Sequence, residues 1–285
     1  MDVMLRPGRP EDANACGMIV YEAFKSIASR HNFPLDIPSA EIGTGIVKRM
    51  LPHPGFYSLI AERDGNIVGS LFLDERGSIA AVSPLTIDPA AQNQTIGRRL
   101  MLAALERVAE RRFAGVRLVQ AAYHYRALCL YAKLGFVARE PLSKMGGTPL
   151  GVTYPGYEVR LATIADLGAG NALCRRVHGH DRGGELKDAI GQGTARVVEH
   201  LGAVTAYATD IAFFAHAVAD SNHGLKALIG AATGFGGGGF LLPTRNGELF
   251  SWALQKGLRL VHQMNLMTTG LYNEPAGAYL PSVAY

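Results

Sequence analysis

Cysteine is scarce in this chain, with three in 285 residues, at Cys16, Cys129 and Cys174. They are far apart, odd in number and embedded in apolar helical patterns, which argues against a disulfide framework or a zinc site. They read as reduced core thiols. Long apolar runs are missing too. The least polar window, 202–221, is broken by Asp210 and His216, so no membrane span is expected. The opening MDVMLRPGRPED has no apolar stretch behind a basic start, so a secretory leader is not expected and a cytoplasmic location is. No run of Lys and Arg concentrates the formal net charge of +4, which speaks against a nucleic-acid partner. Apolar residues, by contrast, are plentiful: 48% hydrophobic against 18% charged. Over this length that suffices for two cores of roughly 130–150 residues each.

Comparing the chain with itself brings out two halves. Arg6 is followed six residues later by Asp12, and Arg160 by Asp166, each Asp leading into an apolar pattern of helical period. Both segments read as strand, cap, helix. A hairpin signal follows in each half, at Asp64-Gly65 and around Gly202. A third match pairs Gly115–Gln120 with Gly257–His262. Three fragments in the same order predict a duplicated fold, with units at 1–146 and 156–285 and the Gly- and Pro-rich stretch 144–157 as linker. Strands in the first half precede a strand–helix–strand unit, which predicts a mixed α/β sheet, mostly antiparallel, with helices on its faces. The spacing places a helix over 92–112, with Met101, Ala104, Leu105 and Val108 on its buried face.

Chemistry concentrates after a strand ending at Asp88. The run Gln92-Asn93-Gln94-Thr95-Ile96-Gly97-Arg98-Arg99 enters that helix. A helix N-terminus presents unpaired N–H groups and the positive end of the macrodipole, both suited to a pyrophosphate. Gly97 lets phosphates approach the backbone, and Arg98 and Arg99 add positive charge. A capped helix behind a loop needs no ligand, so this run alone leaves both readings open.

The segment resembles the coenzyme A pyrophosphate loop of the GNAT acetyltransferases, with Gln92 and Gly97 in place and Thr95 where the first glycine is usual. A second stretch, His124-Tyr125-Arg126-Ala127-Leu128-Cys129-Leu130-Tyr131-Ala132-Lys133-Leu134-Gly135-Phe136, is similar to the later signature of that family, His124 standing in the usual Asn place. The resemblance covers roughly residues 3–145. It implies acetyl-CoA as co-substrate, with backbone groups near Leu85, Thr86 and Ile87 holding the pantetheine arm and polarising the thioester carbonyl. It implies direct attack by the acceptor amine, with Tyr131 as the general acid for the departing thiolate. It also places Gln92, Asn93, Gln94, Thr95, Ile96, Gly97, Arg98 and His124 against the coenzyme. The plainer alternative is a helix-face ring packed at a rim, but position and residue type together favour the acid. Asp74 and Glu75 are candidate bases that read better as turn residues, and His124 reads as positional rather than as a base.

The second half shows no counterpart of the two signatures. Its closest segment, 242–250, sets Gly247 against Gly97. The half reads as a degenerate copy that completes the acceptor pocket or braces the first half. His178-Gly179-His180-Asp181 lacks further ligands for a metal, and none is expected. Gly236–Gly239 is not followed by the Lys-Ser/Thr of a phosphate loop and reads as a flexible connection. The tail 271–285 is read as packing over the cleft or forming a homodimer contact. The expected function is therefore N-acetylation of a small amine. The alternatives are a coenzyme A-binding sensor without turnover, or acetylation of a peptide or protein.

Overall fold

The computed structural model describes residues 3–284. The first half runs β1 (Met4–Pro7), α1 (Ala13–Arg30), α2 (Ala40–Met50), β2 (Phe56–Arg63), β3 (Asn66–Asp74), β4 (Ala80–Ile87), α3 (Ile96–Glu110), β5 (Gly115–Ala121), α4 (Tyr125–Lys133) and β6 (Val137–Gly146). The second runs β7 (Glu158–Leu161), α5 (Leu167–His178), α6 (Gly183–Gln192), β8 (Arg196–His200), β9 (Ala203–Ala208), β10 (Ala217–Ala219), α7 (Asn222–Ala231), β11 (Phe240–Pro243), α8 (Gly247–Gln255), β12 (Arg259–Gly270) and β13 (Ala278–Leu280). Both halves follow the same order of strand, two helices, three strands, helix, strand, helix and strand, and the second adds β13 at its end. This is the mixed α/β, mostly antiparallel duplication that the sequence pattern implies.

Side chains repeat along with the elements. Arg6 donates to Asp12 at 2.7 Å and to Glu62 on β2 at 2.7 Å. Arg160 does the same with Asp166 at 2.8 Å and Glu199 on β8 at 2.8 Å. Asp12 and Asp166 each also accept a backbone N–H three residues upstream, from Arg9 and Thr163. They therefore close a single 3-10 turn ahead of the helix, and neither makes a side-chain cap bond to the helix itself. Each first hairpin turns through two positive-φ residues, Asp64-Gly65 and Leu201-Gly202, which suits the right-handed twist of the strands.

The halves exchange their last strands. The larger sheet has the order β1-β2-β3-β4-β5-β12-β6-β11, and the smaller one β13-β10-β9-β8-β7. Thus β12, from the second half, lies between β5 and β6, while β6 lies between β12 and β11. Every pairing in the larger sheet is antiparallel except β4 with β5. The exchange buries Met264, Leu266 and Met267 of β12.

Element order corrects two sequence matches. The counterpart of β5 is β11, so Gly257–His262 is not the repeat of Gly115–Gln120. The two segments instead belong to neighbouring strands, β12 and β5. Likewise Gly247 opens α8, the counterpart of α4, so it does not correspond to Gly97 in α3. Short Gly-plus-aliphatic strings recur in any sheet protein, and local similarity cannot tell neighbours from equivalents. The Gly236–Gly239 loop is no loose connection either: Gly237 and Gly238 have φ of 67° and 74°, and a Cβ on Gly239 would sit 2.2 Å from the Met145 carbonyl oxygen. Only glycine allows that approach. Lys144, read as the start of the linker, lies inside β6. Helix α3 begins at Ile96, which leaves 92–95 as loop.

Candidate active site

The site is built where two strands part. β4 stays paired with β3 through Ile87 but meets β5 at only two positions, Ala80 opposite Val116 and Ala81 opposite Arg117. Pro84 has no N–H with which to continue that ladder. The Asp88 N–H donates to the Val68 carbonyl on β3. Alternation then turns the Thr86 backbone toward β3 and the Leu85 and Ile87 backbones toward the open side.

The loop that follows is tied down by its own side chains. Asp88 accepts from the Ala90 N–H at 2.9 Å, and Gln92 Nε2 donates to the Ile87 carbonyl at 3.2 Å. Arg126, the second residue of α4, donates to Asn93 Oδ1 at 2.9 Å and Gln92 Oε1 at 2.5 Å. Thr95 enters α3 in the left-handed conformation, φ 60° and ψ 1°, with no side-chain cap bond. The first in-helix bond runs from the Arg99 N–H to the Thr95 carbonyl. The N–H groups of Ile96, Gly97 and Arg98 therefore have no partner within the helix. A Cβ added to Gly97 would meet only Leu130 and Ile87, at 3.7 and 3.8 Å, so the space above it belongs to the cleft.

A β-branched residue in the left-handed region costs about 1–2 kcal/mol. Thr95→Gly relieves this cost but adds some unfolded-state entropy. It is expected to raise stability by about 0.5–1 kcal/mol, read as a small upward shift in Tm.

Against this loop lies a cavity of about 570 Å3, bounded by the C-terminal half of α1, the end of β4, the first turn of α3 and one face of α4. Leu85, Thr86, Ile87, Gln92, Asn93, Thr95, Ile96, Gly97, Arg98, His124 and Tyr131 all line it. Gln94 does not, since its side chain turns outward to accept from Arg63 at 2.5 Å. Four cationic side chains, Arg30, Arg98, Arg126 and Lys133, line the cavity and, among the described residues, no carboxylate does, a balance that favours a polyanion. Cys129, read as a core thiol, is exposed and lines this cavity, whereas Cys16 and Cys174 are buried.

A smaller cavity of about 130 Å3 adjoins it. The two share Phe24, Ile27, Leu85, His124, Ala127 and Tyr131. Tyr131 is 9% exposed and packs beside Phe136. Burial pushes its hydroxyl up to about 12, so it stays protonated. Burial, with Arg126 and His31 nearby, pushes His124 down to about 4, so its ring is neutral near pH 7. The second half supplies Phe213, Phe214, Met264 and Val283 to this smaller cavity, and the tail is anchored there by the Val283 N–H on the Phe213 carbonyl.

The other candidates lie elsewhere. Asp74 pairs with Arg76 at 2.5 Å and Glu75 with Arg107 at 2.5 Å, and neither lines a cavity described here. Arg76 also reaches Asp188 of the second half at 2.8 Å, so this turn braces the two halves. His178 and His180 stand with ring centroids 5.9 Å apart, and His178 packs edge-on against Tyr279. Among the described residues no group of three or more His, Cys, Asp or Glu is arranged to hold a metal, and no helix is long and apolar enough to cross a membrane. Sequence reasoning missed Arg126, Arg30 and the α1 wall. Arg126 sits inside the second signature, but nothing in its spacing says that it reaches back across more than thirty residues to the loop.

The model of the acetyltransferase (GNAT) domain matches residues 54–138, the span from β2 to the start of β6. An IAA acetyltransferase of Azospirillum brasilense is 33% identical over 121 residues, covering 40% of this chain and 76% of that protein. Among solved structures, a candidate acetyltransferase of Pyrococcus horikoshii superposes with a TM-score of 0.72 at 18% identity, over 94% of this chain and 89% of the other. A tandem GNAT protein of the clavulanic acid pathway superposes with a TM-score of 0.57 at 14% identity, over 94% and 98%. The parted strands, the open loop into α3 and the match along the sequence lead to one assignment: the chain is an enzyme of the GNAT family of N-acetyltransferases, with two GNAT-like units in tandem.

Proposed function

We propose that this enzyme moves an acetyl group from acetyl-CoA, held in the larger cavity, to a small amine held in the smaller one. The observation that carries the reading is that the two cavities meet at Tyr131 and at the open edge of β4. The unpartnered first turn of α3, with Arg98 and Arg126 beside it, suits the coenzyme pyrophosphate. The free backbone edge at Leu85 and Ile87 suits the pantetheine arm and the thioester carbonyl.

In this reading the amine nitrogen attacks the thioester carbon and the carbon–sulfur bond breaks. Tyr131 gives its proton to the departing sulfur. The surplus proton on the new amide nitrogen returns to the phenolate through solvent, so the count closes with one amide and one free thiol. The second half contributes walls to the acceptor cavity, and its own α7 entrance carries no equivalent of the 92–98 run. A small enclosed cavity favours a small molecule over a peptide, which would need an open groove.

The test is thiol release from acetyl-CoA against a panel of small amines and peptides, with mass detection of the acetylated product. Acceptor-dependent release with at least one small amine, and none with peptides, is the expected result. Tight coenzyme binding with no acceptor-dependent release on any of them would make the chain a coenzyme A sensor.

A further inference from the structure

The smaller cavity is apolar over most of its wall, from Val20, Phe24 and Ile37 on one side to Phe213, Phe214 and Met264 on the other. Among its described lining residues Asp36 is the one carboxylate, and no lysine or arginine lines it. Asp36 is 4% exposed, which ordinarily requires a partner. It has two on the same oxygen: Lys144 Nζ donates to Oδ1 at 2.6 Å and His262 Nε2 lies 3.0 Å from that atom. Among the described residues no hydrogen bond reaches Oδ2. Both partners come from the exchanged strands, Lys144 from β6 and His262 from β12. Lys144 does not itself line the cavity, and its Nζ lies 4.1 Å from the centre of the Phe213 ring. Besides Ser83, Tyr123, His124 and Tyr131, the wall holds Gln120, 5% exposed with neither amide atom hydrogen-bonded among the described residues.

We infer that Asp36 is the acceptor-recognition residue, that it receives an N–H of the acceptor on Oδ2, and that the acceptor is a compact amine with an apolar or aromatic body and no carboxylate of its own. This rests on the acetyl-transfer reading above. Size sets the body: an apolar cavity of about 150 Å3 accommodates a benzene ring, close to the space available here. Charge sets the rest. A carboxylate on the acceptor would meet Asp36 in a low-dielectric wall with its one neighbouring cation already committed, which is strongly unfavourable. A long polyamine would leave a second ammonium among aromatic and aliphatic side chains without a counter-ion. Burial alone would push the Asp36 carboxyl up, but the hydrogen bonds from His262 and Lys144 and the charge of Lys144 more than offset it and hold it below the ordinary range, so it is ionised at neutral pH. Lys144 also neutralises part of its charge. Asp36 can then hold an amine by a hydrogen bond without locking it as the unreactive ammonium.

The experiment is calorimetric binding of phenethylamine, phenylalanine and putrescine to the full chain saturated with coenzyme A, with product formation from acetyl-CoA measured in parallel. The expected result is that phenethylamine binds at least tenfold tighter than either of the others. Asp36→Asn should weaken phenethylamine at least tenfold while coenzyme A affinity stays within about twofold. Because Asp36→Asn leaves Lys144 buried without its carboxylate, the pair Asp36→Asn with Lys144→Met is measured alongside, and the same loss is expected there. Equal binding of phenylalanine or putrescine, or unchanged phenethylamine binding in both variants, would overturn the inference. Asp36-dependent binding without acetylated product would leave this site standing and remove the acetyl-transfer reading instead.

Discussion

Tyr131→Phe is expected to lower kcat by about 100-fold, within the range for losing a positioned general acid, with little change in the KM for acetyl-CoA. The hydroxyl has no hydrogen-bond partner among the described residues, while its ring is packed in the first-half core with Leu118, Phe136 and Leu130. Removing the oxygen therefore leaves the packing intact, and stability should change by less than about 0.5 kcal/mol. This separates the two readings of the residue. A ring serving only as packing predicts an unchanged kcat in the Phe variant. A hydroxyl serving as acid predicts lost turnover at an unchanged Tm. Because burial holds Tyr131 protonated up to about 12, its ionisation cannot produce a falling limb of the rate profile between pH 7 and 10. Any such limb would belong to another group, and it should persist in the Phe variant. A kcat within twofold of the parent enzyme in single-turnover assays would remove Tyr131 from the mechanism.

Most of this site was legible in the sequence because its chemistry is local. The loop 92–98 and the α4 signature are continuous segments, and ten of the eleven residues named as coenzyme contacts line the larger cavity. Gln94 lies outside that lining for a geometric reason. Asn93 and Thr95 on either side take positive φ, and the bend sends the side chain between them outward to Arg63. Pattern reading sees the run but not its reversals. The duplication was legible through Arg6 and Asp12 against Arg160 and Asp166, since each pair is one strand and one turn apart and makes the same ion pair.

What stayed hidden was everything that depends on which strand lies beside which. Alternation along β6 and β12 says that both are half-buried strands, and it says nothing about partners. The Lys144–Asp36–His262 cluster spans residues 36 to 262 and exists only because the last strands are exchanged. No motif encodes it. The match of Gly257–His262 to Gly115–Gln120 misled for the same reason, as strands that pack side by side in one sheet share a composition without sharing a place in the fold.

The exchange carries the largest consequence for stability. A fragment ending at residue 149 keeps both family signatures and the whole larger cavity lining. It is nevertheless expected not to fold as a cooperative, coenzyme-binding unit. It lacks β12, which pairs with β5 over seven positions from Met264 to Gly270 and with β6 over nine from Arg259 to Thr268. Without β12, β5 has no neighbour on that side, and with β11 also absent β6 loses both of its own, leaving open edges that template aggregation. Met264, Leu266 and Met267 are each at most 3% exposed; losing three such side chains forfeits roughly 5–9 kcal/mol, comparable with the whole stability of an ordinary domain. Asp36 and Lys144 would also lose His262 and the Phe213 wall. Adding the remainder, 150–285, as a separate chain should restore a 1:1 complex with a single melting transition and acetyl-CoA binding within about threefold of the intact protein. Both fragments can be followed by calorimetry and size exclusion. A monomeric 1–149 fragment that melts cooperatively and binds acetyl-CoA as the full chain does would show that the first half is self-sufficient. The exchanged strand would then be bracing and not a part of its core.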